Sequence, residues 1–338
     1  MYHVYVTVSG EGRIARFSMD PETGVLRFKG NTFASGRPAP LAITPDRKFA
    51  YVARRDDLKL TSYALDSMSG NLTEINTVPL EYDPCYLGTD RTGKWLFSAC
   101  YLGHKAGVHK IEADGSVAYP PVEWLTTDRG AHCFRTDRSN KFAFVPHIDG
   151  HGAPNTIYQY KFNAKTGRIT PNDPALVKQP KNTGPRHFTF HPTKDILYFS
   201  NEQGCSVSAY NFDKKKGTLS RFQTITTLPK GWKGDNSCAQ IHMTPDGKFL
   251  YAPNRGHDSI AQFAVDAKSG RLKALGQVAA EARPRTFNID PAGRFLVSAG
   301  LNSGRLRTYR IGEDGRLEQS GSTSVGKDPM WVSIIPAG

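Results

Sequence analysis

No stretch of this chain approaches the eighteen or so consecutive apolar residues that a membrane-spanning helix needs. Cysteine is scarce as well. Cys85, Cys100, Cys133, Cys205 and Cys238 are odd in number and form no C-x-x-C pair. That pattern argues against a disulfide framework and fits free thiols in a reducing cytosol. The N-terminus, MYHVYVTVSG, lacks the basic and apolar regions of a secretory leader and reads as a strand, so a cytoplasmic location is expected. Acidic residues are outnumbered, 31 against 44 Lys and Arg, for a net charge of +13. Such a balance suits nucleic acid, an acidic membrane surface or an anionic small molecule. The one tight basic run, Lys214 to Lys216, falls in a turn, and no RNP, zinc-finger or helix-turn-helix signature accompanies it. Neither a nucleic-acid nor a membrane partner is therefore expected. Also missing are G-x-x-x-x-G-K-[ST], a helix-opening G-x-G-x-x-G and G-x-S-x-G, so nucleotide cradles and a hydrolase elbow have no support. His147-x-x-x-His151 has ligand-like spacing but lies in a Gly/Pro loop with no second cluster. No metal and no cofactor are expected.

What the chain does have is a repeat. Hydrophobic residues make up 38% of it, with 14 Tyr and 18 Phe spread throughout, enough for a sizeable core. A turn followed by an alternating apolar strand recurs as PDRKFAY ending at Tyr51, RTGKWLF at Phe97, RSNKFAF at Phe144, PTKDILY at Tyr198, PDGKFLY at Tyr251 and PAGRFLV at Val297. A second strand-like pattern follows each, ending in an aromatic and often Asp, with the AGVHKIEADG copy degenerate. A glycine then precedes an aliphatic residue at Gly24, Gly70, Gly115, Gly167, Gly217, Gly270 and Gly315, spaced 45 to 53 residues apart. Four short strands fit that unit, which is a propeller blade. The chain ends in WVSIIPAG, matching TFNIDPAG, and stops before its own Lys-Phe-Leu-Tyr strand; YHVYV at the N-terminus supplies the missing piece. The expectation is one all-β domain over residues 1–338, a seven-bladed β-propeller whose seventh blade is closed by both termini. Residues 147–155 read as an inserted loop over one face.

A repeat lets equivalent positions be compared. Six residues before the turn Pro, on the innermost strand, the blades carry Ala39, Cys85, His132, Arg186, Ala239, Arg285 and Met330. The next position carries Pro40, Tyr86, Cys133, His187, Gln240, Thr286 and Trp331. Four residues after the Tyr/Phe stand Ser9, Arg55, Tyr101, Ile148, Glu202, Arg255 and Leu301; the position before includes Arg54, His147, Asn201 and Asn254. Innermost strands line the central channel, so His132, Arg186, His187, Glu202, Arg255 and Arg285 should converge at its mouth. Such groups could simply bond to water and to one another. As a set, however, they carry a surplus of positive charge that an anionic ligand would relieve. The small residues filling these slots in other blades imply that the fold tolerates substitution there.

At these same residues the sequence resembles the propeller lactonase family, which includes bacterial 6-phosphogluconolactonases and, more distantly, fungal carboxy-muconate lactonising enzymes. The matching stretches are TGPRHFTFHP, YFSNEQGCSVSAY, AQIHMTPDGKFLYAPNR, RPRTFNIDPAGRFLVSAG and VGKDPMWV, in the family's order and blade spacing. The resemblance implies a catalytic His, Arg and Glu with a further Arg, falling on His132, Arg186, Glu202 and Arg255. The context AHCFRTD around His132 departs from the family's usual one. His187, Arg285, Arg54, Asn254 and Trp331 are candidates for substrate binding, with Arg55 beside Arg54 as an outer anchor.

The expected reaction is hydrolysis of an anionic sugar-acid lactone of the 6-phosphogluconolactone type, a carboxylic-ester hydrolysis within carbohydrate metabolism. Either Glu202 or His132 could deprotonate the attacking water. A carboxylate beside arginines stays ionised and is a weak base, which tilts the reading towards His132. Arg186 and Arg255 could hold the oxyanion. Two other functions stay open: a lactonising cycloisomerase acting on a muconate, and a non-catalytic propeller that binds partners on its faces.

Overall fold

Each repeat motif begins at a turn whose polar residue serves the following strand. Asp90 Oδ1 accepts the N–H groups of Lys94 and Trp95 at 2.9 and 3.0 Å, and Asp137 Oδ1 those of Lys141 and Phe142, both at 2.9 Å. In two blades a hydroxyl takes this part, with Thr44 and Thr244 accepting from Phe49 and Phe249 at 3.1 Å. Backbone donors that a tight turn would leave unpaired are thus satisfied locally. The strand that follows is β-branched, aromatic and buried on both faces, as Ile196–Asn201 and Phe295–Gly300 show.

A computed structural model describes residues 1–150 and 152–338, with His151 of the ligand-like pair outside the described residues. Seven four-stranded antiparallel sheets form the blades. Blade 1 runs Pro38–Ile43, Phe49–Arg54, Lys59–Leu65 and Leu72–Pro79. Blade 2 runs Tyr86–Thr89, Trp95–Cys100, Lys105–Lys110 and Glu123–Thr126. Blade 3 is Arg135–Thr136, Phe142–Gly150, Ala153–Phe162 and Ile169–Lys178; blade 4 is Pro185–Phe190, Ile196–Asn201, Ser206–Asp213 and Thr218–Thr226. Blade 5 comprises His242–Met243, Phe249–Asn254, Ser259–Val265 and Leu272–Ala279, and blade 6 Pro284–Ile289, Phe295–Gly300, Arg305–Ile311 and Leu317–Ser324.

The seventh blade is the split one. Its order is Pro329–Pro336, Tyr2–Val8, Arg13–Met19, Leu26–Phe33, so the innermost strand comes from the C-terminus. The register runs from Tyr2 opposite Pro336 to Val8 opposite Pro329. A ring closed this way leaves no exposed sheet edge at its seam.

Blades lock together through the turn glycines. All seven have positive φ, from 69° at Gly270 to 86° at Gly115. At Gly115 a Cβ would lie 2.1 Å from the Phe49 ring of the preceding blade, and Tyr51 Oη donates to the Gly115 carbonyl at 3.0 Å. Gly70 takes the same bond from Tyr5 at 2.8 Å. The aromatic of one KFxY motif therefore seats the turn of the next blade, which explains why both halves of the motif recur.

One expectation needs adjustment. The segment around His147 is the extended tip of a hairpin, with Asp149 opposite Pro154 and Gly150 opposite Ala153, and not an irregular loop. The degenerate third copy does form a strand, but its outer neighbour, Glu123–Thr126, has only four residues.

Candidate active site at the front channel mouth

Innermost strands begin at one face of the ring, here the front, and second strands end there. The chain positions the residue just beyond each second strand by a repeated backbone bond. Glu202 donates its N–H to Gly184 O at 2.6 Å, and Arg255 donates its own to Ser237 O at 2.9 Å. Arg55 does the same to Arg37 O at 3.3 Å. These residues are thereby held beside the start of the inner strand, where slots such as Arg186 and Arg285 stand.

The centre of the site is a three-residue charge cluster. Arg186, the largest fully buried side chain, donates Nε to Glu202 Oε2 at 2.5 Å. Arg255 approaches the same oxygen at 3.1 Å and donates to Cys238 O at 2.6 Å. Burial alone would raise the Glu202 pKa, but Arg186, Arg255 and Arg285 outweigh it and hold the carboxyl below its ordinary value. Arg285 stands among these charges with no hydrogen bond or ion pair to another described residue. Its pKa is pushed well down by burial and then by Arg186 and Arg255. Arg186 Nη1 and Arg255 Nε are buried without a hydrogen-bond partner among the described residues. One carboxylate thus faces three guanidiniums, with Arg186 Nη1, Arg255 Nε and the whole Arg285 head unspent among the described residues.

His132 lies beside this cluster. Its ring packs against Tyr101 and His187, with centroids 5.8 and 5.4 Å away, and Nδ1 is 3.5 Å from Cys85 Sγ. Burial, followed by Arg186, His187 and Arg285, drives its pKa well below 6.5, so the imidazole is neutral. His187 is likewise neutral, for burial first and Arg186 second. Its ring meets Tyr86 and Trp331 at 5.5 and 6.1 Å. His187 and Trp331 floor the front cavity, with Tyr86 packed behind them, and its walls include Arg55, Cys85, Arg186 and Arg285.

The structure therefore brings together His132, Arg186, His187, Glu202, Arg255, Arg285 and Trp331. Two anticipated binding residues are placed elsewhere. Arg54 donates to Ser35 O at 2.8 Å and pairs with Asp57 at 2.6 Å, outside the cavity lining. Asn254 is fully buried, its amide bonded to Thr227 O, its oxygen accepting from Thr227 and Asn236. It ties the loop before blade 5 in place. Arg55 takes the position anticipated for Arg54, lining the cavity with its guanidinium bidentate on Asp83 at 2.7 and 2.5 Å. Cys85 and Tyr101 went unremarked among the candidates although their slots adjoin or match those of His132 and Glu202.

With that geometry established, comparison with known proteins is informative. Residues 3–334 match the family model described as "Lactonase, 7-bladed beta-propeller". A 6-phosphogluconolactonase of Pectobacterium carotovorum is 35% identical over 301 residues, 89% of each chain. One of Erwinia tasmaniensis is 32% identical over 336 residues, covering 99% of each. A solved periplasmic gluconolactonase of Pseudomonas aeruginosa superimposes with a TM-score of 0.91 at 26% identity, over 100% of this chain and 99% of that one.

Proposed function

The chain belongs to the seven-bladed β-propeller lactonase family, and from that premise we propose that it hydrolyses a sugar-acid lactone bearing an anionic group, 6-phosphogluconolactone above all. The observation that carries the substrate reading is the charge imbalance at the front mouth. Among the described residues Arg285 has no ion-pair partner and Arg186 keeps a buried N–H unspent, and an anionic lactone supplies acceptors for both. The names of the relatives favour hydrolysis over cycloisomerisation.

In the proposed reaction one water adds to the lactone carbonyl, the ring C–O bond breaks, and the ring oxygen leaves as a hydroxyl, giving an open hydroxy acid. His132 is the base. It is neutral, so its lone pair is available, whereas Glu202 is engaged by two arginines and held ionised. The proton taken from water then goes to the departing ring oxygen. Arg186 Nη1 and Arg255 stabilise the oxyanion of the tetrahedral intermediate. Arg285 and Arg55 hold the anionic end. Since Arg285 helps to depress the His132 pKa, an anion on Arg285 raises the basicity of His132. Charged substrates thereby activate their own base.

The five free thiols support a reducing compartment, and we place the enzyme in the cytoplasm on that ground. The test of the substrate reading is acid release from a panel of lactones, phosphorylated and plain side by side. A higher kcat/KM for the phosphorylated sugar supports it, and a preference for neutral lactones counts against it.

A further inference from the structure

The central channel has a second compartment. His187, Gln240 and Trp331 line both the front cavity and another that opens at the rear face. Tyr86 packs edge-on against His187 and Trp331, and Gln240 Oε1 accepts from Thr286 Oγ1 and the Phe287 N–H, both at 3.0 Å. This layer separates the rear chamber from the reacting groups.

The make-up of the rear chamber follows from strand periodicity. Two residues beyond the aromatic layer, the same slot faces the channel again, and it carries Ala42, Gly88, Arg135, Thr189, His242 and Asn288. None is large and apolar, and none is acidic. Arg135 donates Nη1 to Phe188 O at 2.8 Å. The guanidinium of Arg91, on the adjoining turn, donates only to the carbonyls of Asp137 and Thr136 among the described residues, at 3.2 and 3.3 Å. Among the described residues neither arginine pairs with a carboxylate. The two acids at hand, Asp90 in the chamber wall and Asp137 next to it, are committed elsewhere. Asp90 accepts two backbone N–H groups, the Thr92 hydroxyl and the Asn140 amide. Asp137 accepts from the N–H groups of Lys141, Phe142 and Ser139 and from the Ser139 hydroxyl. Burial, and then Arg135, lower the Arg91 pKa against the smaller opposing pull of Asp137, so the repulsion between the two cations is only partly offset. His242 is neutral, its pKa lowered to about 3 by burial and Arg135, so it adds no charge of its own. The side chains of Thr189 and His242 make no hydrogen bond to another described residue.

We propose that this rear chamber is a second anion site, taking a small oxyanion (phosphate or a carboxylate) on Arg135 and Arg91, with Thr189 and His242 as neutral partners. The proposal does not rest on the reaction assigned to the front mouth. The shared chemistry is that of a small oxyanion, either inorganic phosphate or a carboxylate, and calorimetry separates the two sources. Inorganic phosphate and gluconate are titrated, each alone, into the parent protein, Arg285→Gln and Arg135→Gln. Arg285→Gln should retain an anion site, because its change lies on the front side. Arg135→Gln should weaken that site by at least about tenfold, the scale of one lost charge-assisted hydrogen bond, while kcat/KM for the lactone in anion-free buffer is unchanged. If Arg135→Gln lowers the melting temperature, Thr189→Asp replaces it, adding a negative charge to the chamber, and should give the same loss. Tighter phosphate than gluconate identifies phosphate as the occupant, and the reverse order identifies the carboxylate. Loss of all anion heat in Arg285→Gln, or full retention in both Arg135→Gln and Thr189→Asp, overturns the proposal. Absence of heat from either anion at millimolar concentration in the parent does so as well.

Discussion

Arg186 Nε and Glu202 Oε2 lie 2.5 Å apart in a largely buried ion pair whose carboxylate oxygen is shared with Arg255 at 3.1 Å. Small residues in the equivalent slots of other blades suggested that the fold would tolerate their loss. The pair changes that expectation, because removing the carboxylate leaves two buried guanidiniums uncompensated. Glu202→Gln should cost about 3 kcal/mol of stability, the low end of the usual range for breaking a buried pair, as well as activity. Denaturant unfolding of the variant checks this, and an unchanged midpoint would show that solvent or another group neutralises the arginines.

Arg285 and Arg55 should act on binding rather than on chemistry. For Arg285→Gln we expect KM to rise by about tenfold or more for a phosphorylated lactone, with kcat nearly unchanged. For a neutral lactone the change should be small. Steady-state kinetics on both substrates distinguishes this from a catalytic role, in which kcat would fall for both.

How much of this was legible beforehand depended on periodicity. The turn glycines and KFxY motifs recur because each blade seats its neighbour, so blade number and the closure by Tyr2–Val8 on Pro329–Pro336 could be read from the sequence. The innermost-strand slots were legible for the same reason, and His132, Arg186, His187 and Arg285 do meet. Strand ends were harder. Successive side chains on a strand point to opposite faces, so an error of one residue reverses the assignment. Arg54 ends its strand and turns to Ser35 and Asp57, while Arg55, one residue on, faces the cavity. Asn254 and Arg255 repeat the relationship. Nothing in the residue types distinguishes the members of either pair. The hairpin around His147 was hidden because Gly150 and Gly152 suit a tight turn as well as a loop.

Stability should decline in mild acid. His109 and His147 are buried with pKa values lowered to about 4, and His242 to about 3. An unfolded histidine titrates near 6.5, so between about pH 6.5 and 4 the unfolded chain binds protons that the folded chain refuses. Folding stability is then full above pH 6.5 and falls as the pH drops, by up to about 1.4 kcal/mol per pH unit for each histidine. Melting temperatures from pH 8 to pH 5 test the sign. A flat profile would mean that these rings are charged in the fold.

The seam makes its own prediction. Tyr2–Val8 lies between Pro329–Pro336 and Arg13–Met19, so deletion of residues 1–9 opens two sheet edges in the ring, and deletion of the last eight opens the edge of Tyr2–Val8. We expect loss of cooperative unfolding and aggregation in both cases. A truncated chain that kept the parent melting temperature would show that closure contributes little.

The central claim is that His132, Arg186 and Glu202 act together on a lactone at the front mouth. It is tested most directly by the initial rate of acid release from the best lactone for His132→Gln, measured against the parent after circular dichroism has confirmed its fold. The expected result is a fall in kcat of about 10²–10⁴, the usual cost of losing an acid–base group. A rate within about threefold of the parent would contradict the account and place the chemistry elsewhere.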